Sequence, residues 1–121
     1  ITIASYGYNL HLILAAVNEL MMEHEIFCDL VIFSQLSPFN ISPLLDSLKQ
    51  TKKLLTVEEN TLNTGWGAEI VARASEKINL KAIKRVAALN LPIANSKVLE
   101  DQILPSVKDI VDSVIQLGLT S

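Results

Sequence analysis

An open α/β fold, with helices on both faces of a mostly parallel sheet of four to five strands, is predicted by three features of this 121-residue sequence. Stretches of strand composition alternate with stretches of helical periodicity, the order that builds parallel sheets. "IFCDLVIF", residues 26–33, is a near-continuous β-branched and aromatic run, the pattern of a strand covered on both faces. Half of the residues are apolar and only 19% are charged, enough to fill a core between layers. The length suits a single domain over residues 1–121.

Each element follows from local pattern. "TIASY", residues 2–6, reads as a short strand with Gly7 as the turn behind it. A helix comes next, with Leu10, Ile13, Leu14, Val17, Leu20 and Met21 as its predicted apolar face. After the run at 26–33, Ser42-Pro43 starts a short helix through Leu44, Leu45 and Leu48, because proline suits the first helical turn. "KLLTVE", Lys53–Glu58, is a third strand. The helix predicted from about Trp66 to Ile78 buries Ala68, Ile70, Val71, Ala74 and Ile78, and pairs Glu69 with Arg73 on its outer side. "RVAAL", Arg85–Leu89, is a fourth strand. Pro105 opens a last helix with Val107, Ile110, Val111 and Val114 inward and Gly118 as its stop.

Composition removes several function classes. The formal net charge is −3 with no basic stripe, so nucleic-acid binding through phosphate neutralisation is not expected. The most apolar stretch, Leu10–Met22, is broken by His11, Asn18 and Glu19 and is too short to span a bilayer, so no membrane role is expected. Cys28, the single cysteine, leaves no internal disulfide and fits a reducing compartment. It reads as a buried structural thiol, since neither His11 nor His24 is its neighbour in sequence. The opening "ITIAS", without methionine and already strand-like, reads as part of a longer protein.

"TVEENTLNTGWGAEIVARA", Thr56–Ala74, concentrates the polar and glycine residues that carry chemistry elsewhere. Glu58 and Glu59 are adjacent on a strand and so point to opposite faces, which disfavours a carboxylate pair for acid–base work. Gly65-Trp66-Gly67 starts like a dinucleotide fingerprint, but Ile70 stands at the third glycine position, and the Gly-Lys-Ser/Thr of a P-loop is absent. A helix amino terminus here could attract an anion, while two glycines around an aromatic more simply mean close strand–helix approach. Trp66 is either core or an anchor for a partner. Metal-ligand spacings are missing, and no G-x-S-x-G elbow surrounds Ser5 or Ser34.

"SYGYNLHLILAAVNEL", "SPFNISPLLDSLKQTKKLLTVEE", "TGWGAEI" and "RVAALNLPIANSKVLEDQILPSVKDIVDSV" resemble, in that order, the carboxyl-terminal domain of the transketolase-like β subunit of thiamine-diphosphate-dependent 2-oxoacid dehydrogenases. The similarity runs over essentially the whole chain and is most specific in "LPIANSKVLEDQILPSVKDI". It implies a three-layer α/β/α unit whose mixed sheet has a further short strand, behind a pyrimidine-binding domain that carries the glutamate activating thiamine. The parent would use thiamine diphosphate and magnesium, held mainly by the α subunit or α-like domain, to decarboxylate a 2-oxoacid and pass the acyl group to a lipoyl arm.

For this domain itself the resemblance implies assembly with a second β subunit, with the α subunit or α-like domain, and in some complexes with the lipoyl acyltransferase core. It implies no catalytic, cofactor or metal residue. Glu58, Glu59, Gly65, Trp66, Gly67 and Glu69, with Leu99, Glu100, Leu104 and Pro105 of the terminal loop and helix start, are the expected interface positions. The compartment implied is bacterial cytoplasm or mitochondrial matrix. Two departures stand out: Ile32, Phe33 and Ser34 replace a frequent Asp-Leu-Arg, and Glu58 stands where many β subunits have histidine. A ketol-transferring relative, or a binding module that kept the fold, are the alternatives.

Overall fold

A computed structural model describes residues 1–34, 40–63, 65–89 and 104–119. The chain runs β1 (Thr2–Tyr6), a 3-10 turn (Gly7–Asn9), α1 (Leu10–His24), β2 (Asp29–Phe33), α2 (Ser42–Thr51), β3 (Lys53–Thr61), α3 (Trp66–Lys77), β4 (Ala82–Ala88) and α4 (Val107–Gly118). The strands form one sheet in the order β2-β1-β3-β4, and each neighbouring pair is parallel. Among the described residues the sheet therefore has four strands, and the further strand implied by the resemblance is not among them.

Two apolar layers sandwich the sheet. Ile3, Leu55, Val57 and Val86 meet Ile13, Ala16 and Leu20 of α1 and Ile110, Val114 and Leu117 of α4 on one side. Ala4, Phe33 and Leu54 meet Leu44 and Leu48 of α2 and Ile70 and Ala74 of α3 on the other. The alternation of Ile3 with Ala4, and of Leu54 with Leu55, between the layers is the period-two consequence of the pleat. Three-layer packing follows because each helix can bury only one stripe, and a parallel sheet needs both faces covered.

Local chemistry sets the helix ends. Ser106 caps α4: its hydroxyl accepts from the Asp109 N–H at 3.2 Å, and the Asp109 carboxylate accepts from the Ser106 N–H at 2.9 Å. At the other end of α4, Lys53 Nζ donates to the Leu117 carbonyl at 2.8 Å, tying the helix to the start of β3. Glu25 and Lys52 end α1 and α2 in the left-handed region, with φ of 55° and 61°.

The structure departs from the sequence expectations where burial depends on neighbours. Leu10, Leu14 and Met21 of α1 are exposed, while Ala16 takes the place on the core face that the periodicity assigned to them. The strand at 26–33 begins only at Asp29 and lies at an edge of the sheet, so Leu30, Val31 and Ile32 are half-buried instead of enclosed. Cys28 is half-buried as well, and burial pushes its thiol up. The thiol is thereby disfavoured as a thiolate nucleophile. Strand β3 extends three residues past Glu58 to Thr61, and β4 begins at Ala82 instead of Arg85. Ala68 and Val71 are half-buried, with Gly67 buried in the helix face instead.

Candidate functional site at the carboxyl edge of the sheet

The strand order reverses between β1 and β3, so the carboxyl ends of these two strands flank the crevice where open α/β sheets hold ligands or partners. Thr56–Ala74 occupies one side of that crevice. The ladder between β3 and β4 loses register between Val57 and Thr61, a bulge that contains Glu58 and Glu59. Despite the bulge the two carboxylates part as a pleat requires: Glu58 is fully buried and Glu59 is exposed.

Glu58 turns toward α3. Its Oε1 accepts from the Gly67 N–H at 2.9 Å, and Arg85 Nη2 lies 3.5 Å from the same oxygen. Arg85 sits there because parallel pairing sets it opposite Thr56, on the same face as Glu58; its guanidinium also donates to the Leu62 carbonyl. Glu58 therefore satisfies an amide of the first turn of α3 and is partly neutralised by a cation. Helix starts favour a carboxylate through their free N–H groups and the positive end of the helix dipole. Its Oε2 has no partner among the described residues and is enclosed, as are Thr56 Oγ1 and Arg85 Nε.

Gly67 makes this approach possible. A Cβ at position 67 would lie 2.6 Å from Thr56 Oγ1 and 2.9 Å from Glu58 Oε1. Gly65 caps the helix with φ −74°, a conformation open to any residue, so no left-handed turn calls for glycine there, whereas the close contact at 67 does. Of the two sequence readings of this turn, close strand–helix approach is the one the structure has: the Gly67 amide that an anion would use is taken by Glu58.

Trp66 stacks edge-on against Tyr6, with centroids 5.2 Å apart, and against Phe33 at 5.6 Å. It is half-buried, so it belongs to the core and also reaches the surface. Phe33, one of the departures from the usual Asp-Leu-Arg, thus serves as an aromatic partner for this ring. Glu69 is exposed and binds Arg73 at 2.9 Å, as the spacing predicts.

On the other layer, Glu59, Leu104 and Pro105 line a cavity of about 330 Å³ together with Asn9, His11 and Ser106. Ser5 donates to the Val57 carbonyl at 2.6 Å and accepts from Asn9 Nδ2 at 3.5 Å, locking the end of β1 to β3. Leu99 and Glu100 lie outside the described residues. Thus Glu58, Gly65 and Gly67 are internal, whereas Glu59, Trp66, Glu69 and Leu104 reach the surface. Sequence reading missed Arg85 as the partner of Glu58; only the parallel register brings them together.

These residues do not fit a thiamine diphosphate–magnesium site. Glu58, the buried carboxylate of this edge, is held by Gly67 and Arg85, and no group of three or more His, Cys, Asp or Glu side chains is placed to hold a metal ion among the described residues. No helix among them is long and apolar enough to cross a membrane.

Residues 1–110 match the family model of the transketolase C-terminal domain. The β subunit of the mitochondrial pyruvate dehydrogenase E1 component from Ascaris suum is 33% identical over 118 residues, covering 94% of this chain and 32% of the relative; that of Saccharomyces cerevisiae is 29% identical over the same span. The mitochondrial 2-oxoisovalerate dehydrogenase β subunit of Dictyostelium discoideum is 30% identical over 95 residues, 76% of this chain and 26% of its own length. The chain thus spans about a third of the pyruvate dehydrogenase relatives or less. A solved split-gene transketolase, described as an inactive beta4 tetramer, matches 99% of this chain and 39% of its own with a TM-score of 0.83 and 23% identity, a likeness of fold.

Proposed function

The chain belongs to the transketolase C-terminal domain family, and from that premise we propose that it is the subunit-assembly and partner-docking domain of a thiamine-diphosphate-dependent 2-oxoacid dehydrogenase. The observation that carries this reading is the similarity to dehydrogenase β subunits over 94% of the chain, confined to about a third of their length. Chemistry on thiamine diphosphate and magnesium, decarboxylation of a 2-oxoacid and acyl transfer to a lipoyl group, belongs to the rest of such a protein and its α partner.

The geometry supports the division of labour. The carboxylate nearest the crevice is spent on holding α3 to β3, which makes this edge rigid. Glu59, Trp66, Glu69 and Leu104 are the parts of that edge able to meet a neighbouring chain, here a second β subunit, the α subunit or α-like domain, or the acyltransferase core. The relatives are mitochondrial proteins, and a place in the mitochondrial matrix or, for a bacterial parent, the cytoplasm is part of the same proposal.

Reversing two exposed charges tests it. In the full-length protein with its α partner, Glu59→Lys with Glu69→Lys is expected to lower the sedimenting mass and the 2-oxoacid-dependent reduction of a lipoyl substrate together, while the circular dichroism stays unchanged. Retention of the full assembly and activity would sink the assignment of this edge.

A further inference from the structure

The cavity of about 330 Å³ at the carboxyl edge has the position and the walls of a small-ligand site. Asn9 and His11 reach it from the end of β1 and the start of α1, Glu59 from β3, and Ser106 and Val107 from the start of α4. Leu12, Leu104 and Pro105 supply its apolar wall.

Asn9 makes less use of its side chain than its place allows. It is fully buried at the amino-cap position of α1, where an asparagine oxygen ordinarily accepts a helix amide, yet its side chain makes no such bond. The Ser5 hydroxyl gives its proton to the Val57 carbonyl at 2.6 Å, so it accepts from Asn9, which makes Nδ2 the atom that faces it. Oδ1 is then left enclosed, without a partner among the described residues. A buried acceptor in that state favours a donor brought to it. The Ser5 contact is 3.5 Å long, at the limit for a hydrogen bond, so a small turn of the amide toward the cavity meets little resistance.

Charge divides the cavity into two ends. Glu59 is exposed and, in contrast to Glu58, has no ion pair among the described residues. With Asn9 Oδ1 it forms an end that takes a cationic donor. First-turn residues of two helices, His11 and Leu12 of α1 and Val107 of α4, form the other end. The capping box of α4 uses the Ser106 and Asp109 amides and leaves the Val107 N–H without an intrahelical acceptor. The Asp109 carboxylate offsets part of the α4 dipole, whereas α1 has no acidic residue in its first turn. Two converging helix amino termini take an anion.

We propose that this cavity binds a small aliphatic α-amino acid as its zwitterion. The ammonium meets Glu59 and Asn9 Oδ1, the carboxylate meets the amino termini of α1 and α4, and the hydrocarbon side chain lies against Leu12, Leu104 and Pro105. Either half alone fits worse: a plain amine leaves the helix termini unmatched, and a plain carboxylate meets the Glu59 charge. The proposal stands on this cavity and not on the assembly reading.

Titration of the full-length protein with its α partner tests this, using L-valine, isobutylamine and isovalerate, which share a branched hydrocarbon and differ in their charged groups. Calorimetry or saturation-transfer NMR is expected to show saturable binding of valine, with each of the other two at least tenfold weaker. Glu59→Gln removes the charge facing the ammonium at an exposed position. Val107→Pro removes the amide facing the carboxylate; proline suits the first helical position, and Ser106 before it already has the extended backbone that proline demands (φ −119°, ψ 167°). Each variant is expected to weaken valine binding at least tenfold with unchanged circular dichroism. Valine binding that ignores either variant places the ligand elsewhere and overturns the proposal. Isobutylamine or isovalerate binding as tightly as valine overturns the zwitterion, and the absence of valine binding overturns the site. The sedimenting mass of the same samples reports on the assembly reading separately.

Discussion

Gly67→Ala is expected to destabilise the fold by about 3 kcal/mol, the upper part of the range for overpacking a filled interior. The added methyl would sit 2.6 Å from Thr56 Oγ1 and 2.9 Å from Glu58 Oε1, and both oxygens belong to fully buried residues. Relief would require either moving α3 away from β3, which opens the Ile70 and Ala74 contacts, or rotating Glu58 off the Gly67 amide, which strands a buried donor. Denaturant unfolding checks this through a lowered midpoint at unchanged slope. Thr56→Ala in the same chain is expected to restore part of the loss, since it deletes the closest clashing atom.

Arg85→Met is expected to cost about 2–3 kcal/mol, below the usual range for breaking a buried pair because the arginine is itself partly exposed. The loss arises from the partner: Glu58 would remain fully enclosed with no cation beside it. Glu58→Gln keeps an acceptor for the Gly67 N–H and carries no charge, so it is expected to cost less than Arg85→Met. In the Arg85→Met background, Glu58→Gln is expected to recover stability. A double-mutant cycle by thermal or denaturant unfolding reads this coupling directly. Additive losses would mean that the ion pair contributes little and that Arg85 acts only through the Leu62 carbonyl.

Much of this architecture was legible because single segments carried complete signals. β1 is "TIASY" with its observed bounds, Ser42-Pro43 opens α2, and the Val107–Val114 stripe with Gly118 describes α4. The glycine pair around Trp66 correctly signalled close approach, which the contacts at position 67 show. The misreadings share one physical cause, namely that burial is decided by neighbours. α1 offers two apolar stripes, and alanine, which lines the true core face at 16, carries a weak hydropathy signal beside Leu14 and Met21. "IFCDLVIF" has the composition of a central strand, yet nothing within it records that β2 ends the sheet. β3 continues through a polar tail across a bulge, which strand propensity does not favour. The Glu58–Arg85 pair spans separate strands and is set by a register that composition does not encode. The family resemblance supplied what the residues alone lacked, since no local motif in the chain points to a 2-oxoacid.

The central claim, that these residues assemble an enzyme whose cofactor chemistry lies elsewhere, is tested most directly by calorimetric titration of thiamine diphosphate with magnesium into this domain and, separately, into the full-length protein with its α partner. The expected result is saturable heat from the assembly and none from the domain. Binding by the domain alone would contradict the account and require a cofactor site at the Gly65–Gly67 turn despite the Glu58 carboxylate that now occupies its amide. Binding by neither would remove the dehydrogenase reading.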